Sequence, residues 1–200
     1  MLTLHRAASF ASRAGQLSSN VRHRNPTGLL PMLSFKSQGV RFNVRAAAVI
    51  LEDGYLLLHR AEGDTFWVLP GGRVEMGEAA ADATARELME ETGQSIACGD
   101  LAFCVENFFE WQGEISHELG YYFYASLPSG SPLSDKLRSH EAREGNQRLE
   151  YRWFEINSLR KLPLYPEFLR TANLTKGAPP RHVVQGVPGR RPAMSNRGDR

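Results

Sequence analysis

The stretch Trp67–Gly93, W-V-L-P-G-G-R-V-E-M-G-E-A-A-A-D-A-T-A-R-E-L-M-E-E-T-G, decides how the rest of the chain is read. A short apolar run passes through Pro70-Gly71-Gly72 into an alanine-rich segment that carries Arg86, Glu87, Glu90 and Glu91. On a helix of 3.6 residues per turn, Glu91 falls about 40° to one side of Glu87 and Glu90 about 60° to the other, so the three carboxylates share a face. Ala80, Ala83 and Thr84 point the same way one or two turns earlier, while Ala81, Ala85 and Leu88 form an opposing apolar stripe. Like charges at i,i+3 and i,i+4 cost a helix a few tenths of a kcal/mol per pair. A cation would relieve that cost, and the alternative is a solvated acidic face. All-oxygen donors suit Mg²⁺ or Mn²⁺, whose remaining positions are filled by water and substrate phosphate.

The spacing says more than the carboxylates do. Gly72, five residues, Glu78, seven residues, Arg86-Glu87-Leu88, one residue, Glu90-Glu91, one residue and Gly93 resembles the signature box of the Nudix hydrolases. Its last position departs from the pattern, with Gln94 where the family has an aliphatic residue. The looser resemblance runs from about Phe42 to Leu174. It implies an α+β fold, the Nudix-type α/β/α sandwich around a mixed β-sheet. It also implies a metal held by Gly72, Glu87, Glu90 and Glu91, with Mg²⁺ the expected cofactor and Mn²⁺ a substitute. Catalysis is expected from Glu87, Glu90 and Arg86, either Glu87 or Glu90 taking the proton from water.

Around this core the charge is partitioned. Residues 1–51 hold seven Lys or Arg and no acid, 175–200 hold six basic residues and one acid, and 52–174 hold 11 basic and 21 acidic. The basic excess lies outside the expected domain, so the pI of about 8.6 does not argue for nucleic acid. Three parts are expected: a basic extension over 1–40, the domain over 41–174, and a basic tail over 175–200 expected to be disordered. The opening, rich in Arg and Ser and free of acid, resembles a mitochondrial transit peptide and reads equally as a disordered extension. Arg197-Gly198-Asp199 is too short a motif to carry meaning. No apolar run reaches the ~18 residues of a membrane span. Cys98 and Cys104 fit free thiols in a reducing intracellular compartment, cytoplasmic or mitochondrial.

The expected elements follow from pattern and punctuation. Phe42–Glu52 and Tyr55–Arg60 read as strands around an Asp53-Gly54 hairpin turn, with a third short run over Phe66–Leu69. Glu78 is expected to start the helix and Gly93 to cap it. Ile96–Phe109 and Glu118–Leu127 read as strands, with Glu110–His117 as a polar connection between them. Pro128–Arg148 reads as a functional loop or an insertion. Leu149–Ile156 reads as the last strand, Asn157 as the cap of a short helix, and Tyr165–Asn173 as a terminal helix.

The expected substrate is a small nucleotide in which a nucleoside diphosphate is joined to another group, as in ADP-ribose, a nucleotide sugar or a nucleoside triphosphate. Arg60, Trp67, Arg73 and Glu150 are the residues read as facing it, with Phe108, Phe109 and Trp111 as further aromatic faces. Glu114, Glu118, Glu141 and Glu144 compete with Glu150 for the role of a late acid, and His117 is read as structural. Two other readings are a noncatalytic nucleotide-binding module on the same scaffold and an RNA-end pyrophosphohydrolase. No membrane partner or specific nucleic acid is expected, and the sequence allows a homodimer without setting the oligomeric state.

Overall fold

The computed structural model describes residues 31–186. The fold grows from one long strand. Residues Val40–Glu52 form β2, preceded by the short β1 (Ser34–Ser37) that hairpins onto it, and followed through Asp53-Gly54 by β3 (Tyr55–Ala61). Both turn residues have positive φ, 48° and 83°, which matches the right-handed twist of the strands they join. β2 and β3 pair only at Leu51↔Leu56 and Glu52↔Tyr55, then part. β2 turns to the parallel β6 (Glu114–Ser126), and β3 to the antiparallel β8 (Gln147–Glu155).

Into the gap between β2 and β3 comes the segment that carries the glycines. Val68 bridges His59 of β3, the Ala48 amide donates to Pro70 O at 2.8 Å, and β4 (Gly71–Arg73) pairs antiparallel with β2. Phe66–Leu69 is therefore held by isolated bridges and is not the third strand expected. Gly71 has φ 139°, and a Cβ there would overlap the Ala46 carbonyl of β2, so only glycine lets the two backbones approach.

Helix α1 spans Ala80–Thr92 and ends at Gly93, whose φ of 69° and N–H···O bond to Met89 (2.9 Å) form the expected left-handed cap. Glu78 does not start it, because the N-cap position is Ala79. Beyond the helix, β5 (Ala97–Trp111) and β6 form one long hairpin. The expected connection Glu110–His117 is absorbed into it, because Gln112 and Gly113 (φ 49° and 79°) make a two-residue turn. The segment 128–148 is likewise more than a loop: it has a 3₁₀ turn at Pro132–Ser134 and β7 (His140–Glu144), which hairpins onto β8.

After β8 the two expected helices are single 3₁₀ stretches, Ile156–Lys161, with Asn157 inside it and Glu155 at its N-cap, and Glu167–Arg170. Pro163 and Pro166, which lack a donor N–H, leave no room for a longer helix between them. Arg181–Gln185, expected in a disordered tail, forms β9 and pairs parallel with the edge of β5. The other residues of that tail beyond 186, and residues 1–30 with the transit-like opening, lie outside the described residues.

Among the described residues the result is a nine-stranded mixed sheet in the order β7-β8-β3-β2-β6-β5-β9, with β1 and β4 attached to β2. One face packs through Ala48, Ile50, Leu57, Tyr151 and Trp153 against Leu88 of α1. The other packs through Ala47, Val49, Phe103 and Tyr122 against Leu159, Leu164 and Leu169 of the 3₁₀ segments. The fold is the expected α+β sandwich, its second outer layer built of 3₁₀ turns. Among the described residues no helix is long and apolar enough to cross a membrane.

Candidate active site

The helix does not bury its purely apolar side. Its buried residues are Ala83, Thr84, Glu87, Leu88 and Glu91, so two of the three expected carboxylates face the protein. Glu87 is 5% and Glu91 6% exposed. The small side chains before them make this approach feasible: Ala83 and Thr84 are fully buried, and Thr84 returns its hydroxyl to Ala80 O at 3.0 Å. Gly72 lies directly across from Glu87, and a Cβ on Gly72 would overlap the Glu87 carboxylate. Glu90 is on the outer side, its side chain 58% exposed.

Arg86 organises the carboxylates around it. Its Nε and Nη2 donate to Glu78 Oε1 and Oε2 at 2.8 and 3.0 Å, Nη1 donates to Glu87 Oε1 at 3.0 Å and Glu90 Oε2 at 3.2 Å, and Nη2 also reaches Arg73 O at 3.0 Å. The bidentate fork on Glu78 fixes the guanidinium plane. Glu78 also accepts the Glu75 N–H at 3.0 Å. Burial alone would raise the Glu78 pKa, but these donors outweigh it and hold the carboxyl below its usual range.

The inner pair behaves in the opposite way. Burial raises the Glu87 pKa, against the charge and hydrogen bond of Arg86. Burial pushes Glu91 up to about 7, despite a hydrogen bond from the Tyr151 hydroxyl and the charge of Arg45. His59 sits 3.7 Å from Glu91 with neither ring nitrogen hydrogen-bonded within the protein. Burial and then the Arg45 charge lower its pKa to about 3, so it is neutral and does not compensate Glu91. Buried carboxylates in this state are stabilised by a cation.

The fit to a divalent ion can be judged on these residues. Among the described residues no three His, Cys, Asp or Glu side chains already converge at metal-site spacing. What the structure does bring together is Glu87 and Glu91 on one buried stripe, with Gly72 opposite Glu87, where an added Cβ would displace the carboxylate. These hard oxygen donors, without sufficient compensating charge, fit Mg²⁺ or Mn²⁺ held partly by protein and partly by water and phosphate.

A cavity of about 390 Å³ opens from Gly72 and Glu87. Its floor is the sheet face carrying Arg45, Ala47, Glu118 and Tyr122, and its rim is Phe66, Phe109, Trp111 and Tyr165. Phe66 lies edge-on to both Trp111 (5.1 Å) and Tyr165 (5.5 Å). A second, wider cavity of about 830 Å³ reaches Glu91 from the β7–β8 side and is lined by Arg60, Arg143, Arg148 and Glu150 among others.

The expected substrate-facing residues divide. Arg60 and Glu150 meet across β3 and β8, with Arg60 Nε and Nη2 at 2.8 and 2.7 Å from Glu150 Oε2, and Ser139 donates to the other carboxylate oxygen. Arg73 lies on the rim of the smaller cavity. Trp67 is a correction: it is 5% exposed, packs edge-on against Phe154 at 4.7 Å, and carries the Arg60 guanidinium over its ring at 4.5 Å, so no face is left for a base. Phe108 is turned to the opposite side of β5 from Phe109 and stacks on His117 at 4.4 Å, and the His117 ring also meets Phe42 edge-on at 5.2 Å. Arg45, Phe66 and Tyr165 escaped the sequence reading. For Arg45 the available signal was a lone arginine interrupting an apolar strand; its Nη2 donates to Gly71 O at 2.6 Å and Leu69 O at 3.3 Å.

The chain is similar to known proteins of one family. The family model described as the NUDIX domain matches residues 41–172. A Bacillus subtilis (strain 168) protein named "Uncharacterized Nudix hydrolase YvcI" is 31% identical over 120 residues, 59% of this chain and 69% of that protein. A "MutT-like protein" of Streptomyces ambofaciens is 39% identical over 62 residues, 31% of this chain and 40% of that protein. Among solved structures, an ADP-ribose pyrophosphatase from Streptococcus suis 89-1591 superposes with a TM-score of 0.49 at 16% identity, covering 70% of this chain and 98% of the other. With the matched domain spanning most of the described fold, the chain belongs to the Nudix hydrolase family.

Proposed function

We propose that the protein hydrolyses the diphosphate of a small nucleotide in which a nucleoside diphosphate is joined to a further group, using Mg²⁺ or, in its place, Mn²⁺. The observation that carries this reading is the pair of buried carboxylates on one stripe of α1: Glu87, opposite Gly72 in an aromatic-rimmed cavity, and Glu91, which faces the neighbouring cavity on the β7–β8 side. Gly72, Glu87 and Glu91 would hold the ion from the inside, and Glu90 from the solvent side after releasing Arg86. When bound, the ion neutralises phosphate oxygens and lowers the pKa of water.

The chain's own groups supply the rest. Glu87, buried and raised in pKa, accepts the proton of the attacking water, and Arg86 fixes its carboxylate. Arg45, on the cavity floor, offers positive charge to the diphosphate between the carboxylates and the aromatic rim. Tyr151 holds Glu91 from behind, so that the carboxylate keeps one orientation. Attack at phosphorus breaks the anhydride and releases a nucleoside monophosphate and the phosphorylated second group. The test is a nucleotide panel with Mg²⁺, assayed for monophosphate release, beside Glu87→Gln and Glu91→Gln. Turnover lost in both variants supports the reading. Tight nucleotide binding without turnover in the unaltered protein, unaffected by either variant, sinks it in favour of a noncatalytic module.

A further inference from the structure

A sheet face that faces a packed core is expected to be apolar along its whole length, and here it is not. On the face of β2, β6 and β5 opposite α1, the row Ala47, Tyr122 and Phe103 is core. Two residues along, the row is Arg45, Gly120 and Val105, and two further it is Asn43, Glu118 and Asn107, three polar side chains in register. All three residues are buried, at 5%, 9% and 8% exposure. Buried polar groups cost free energy unless they are partnered. Asn43 Nδ2 donates to Glu118 Oε2 at 2.8 Å and ties down one carboxylate oxygen, while Glu118, as part of the cavity wall, is not among the residues whose polar atoms are sealed away without a partner.

Glu118 brings this row to the same cavity. Glu118 is part of the cavity wall, together with Phe109 and Trp111, which follow Asn107 on its own face of β5, and with Phe66 and Tyr165. Ala47, paired with Gly71, marks the carboxylate end. Four residues of strand separate it from Asn43, roughly 13 Å at the strand rise, a span that suits a nucleotide lying with its phosphates at Gly72 and its base over β6. Aromatic rings supply the faces for a planar group, and the carboxylate supplies an edge acceptor.

We infer that the Asn43–Glu118 pair is the base-reading element of this cavity, with Glu118 Oε1 accepting an N–H from the edge of the nucleobase. This rests on the nucleotide reading above and specifies what the carboxylate end leaves open. A carboxylate anchored on one oxygen by Asn43 presents a fixed acceptor and no donor. It favours bases that present an exocyclic amine or a ring N–H at the edge away from the sugar, and it rejects an unsubstituted purine, which offers only acceptors there.

The test is equilibrium binding by calorimetry of five nucleoside 5′-monophosphates, those of adenine, guanine, cytosine, uracil and unsubstituted purine, to the wild type, Glu118→Gln and Glu118→Asp. The expected wild-type result is that the purine monophosphate binds weakest, at least tenfold below the best base. Glu118→Gln, which replaces an acceptor oxygen with a donor amide, is expected to bring that ratio within threefold. Glu118→Asp, an acceptor withdrawn by one methylene, is expected to keep an intermediate ratio. An unchanged ranking in a folded Glu118→Gln overturns the inference and reduces the pair to a tie between β2 and β6. So does a wild type that binds the purine monophosphate as well as the others, a result that needs no variant to fold. Base-selective binding in a protein with no hydrolytic turnover would remove the proposed reaction while leaving this site in place.

Discussion

Glu78 and Glu91 stand at the two ends of the same acidic motif and have opposite surroundings. Glu78 takes two hydrogen bonds from Arg86 and one from a backbone amide, which hold its pKa below the usual carboxylate range. Glu91 takes one from the neutral Tyr151 hydroxyl, beside a neutral His59, and is pushed up to about 7. The first carboxylate is already paired with a cation, Arg86. The second is buried without one. A motif read as a single acidic face is thus two parts: a charge-compensated brace of Glu78, Arg86 and the exposed Glu90, and an inner stripe of Glu87 and Glu91, where the proposed metal would sit.

The sharpest way to break this distinction is by substitution at its two ends. Glu91→Gln and Glu87→Gln are expected to lower kcat by about 10²–10⁴-fold, measured by monophosphate release. Loss of the same size from Glu78→Gln alone would show that the brace and the inner stripe are one device.

Protonation separates them next. Glu91 has a folded pKa above its unfolded value, so its protonated form is the one the fold favours. Its contribution to stability is present below about pH 4.5 and is lost as pH rises toward and through about 7. At about 1.4 kcal/mol per pKa unit this is on the order of 3 kcal/mol, and Glu87 shifts in the same direction. In metal-free protein His59, with its pKa lowered to about 3, contributes the opposite slope up to about pH 6.5, so the Glu91 contribution is read as the difference in Tm between the wild type and Glu91→Gln. That difference is expected to shift against the wild type from pH 5 to pH 8, and Mg²⁺ should raise the wild-type Tm more at pH 8 than at pH 5. A wild-type Tm that gains on Glu91→Gln over this range in chelated protein would contradict the uncompensated state of the inner stripe.

Gly72→Ala tests the wall opposite the stripe. The added Cβ overlaps the Glu87 carboxylate, and a displacement of about 1 Å at reacting groups costs about 10² in rate. The expected loss is in kcat, read in the same assay. Arg86→Gln and Glu78→Gln act through orientation and are each expected to cost about 10–100-fold, with part of the activity of Glu78→Gln kept by Glu78→Asp. Smallest is Phe66→Ala at the rim: losing its edge-to-face contacts with Trp111 and Tyr165 is expected to raise KM about 2–10-fold with little change in kcat.

The legible part of the site is the part that is contiguous in sequence. The helix, its left-handed cap at Gly93 and the glycine turn all depend on residues within one short segment, where helical periodicity and turn chemistry are local facts; the fork from Arg86 back to Glu78, expected only to start the helix, depends on the fold of the turn before it. The same locality explains the Asp53-Gly54 hairpin. Gln112-Gly113 does the same work with an uncommon first residue, so the β5–β6 hairpin was read as two strands and a connection. β9 was hidden because a basic, proline-flanked segment gains strand structure only from the free edge of β5. Trp67 looked available because aromatic character is visible in sequence and burial is not.

By itself, then, the sequence determined the box, the carboxylates and the chemistry they suit, because spacing on a helix fixes which side chains share a face. Only the tertiary structure decided which side of that face is buried. The parting of β2 and β3 admits the glycine turn, and the packing of α1 over it turns Glu87 and Glu91 inward while leaving Glu90 in solvent. The cavity that leads away from them is assembled from β2, β5, β6 and two distant connections, residues far apart in the chain. Their meeting depends on strand register, and no local pattern records it.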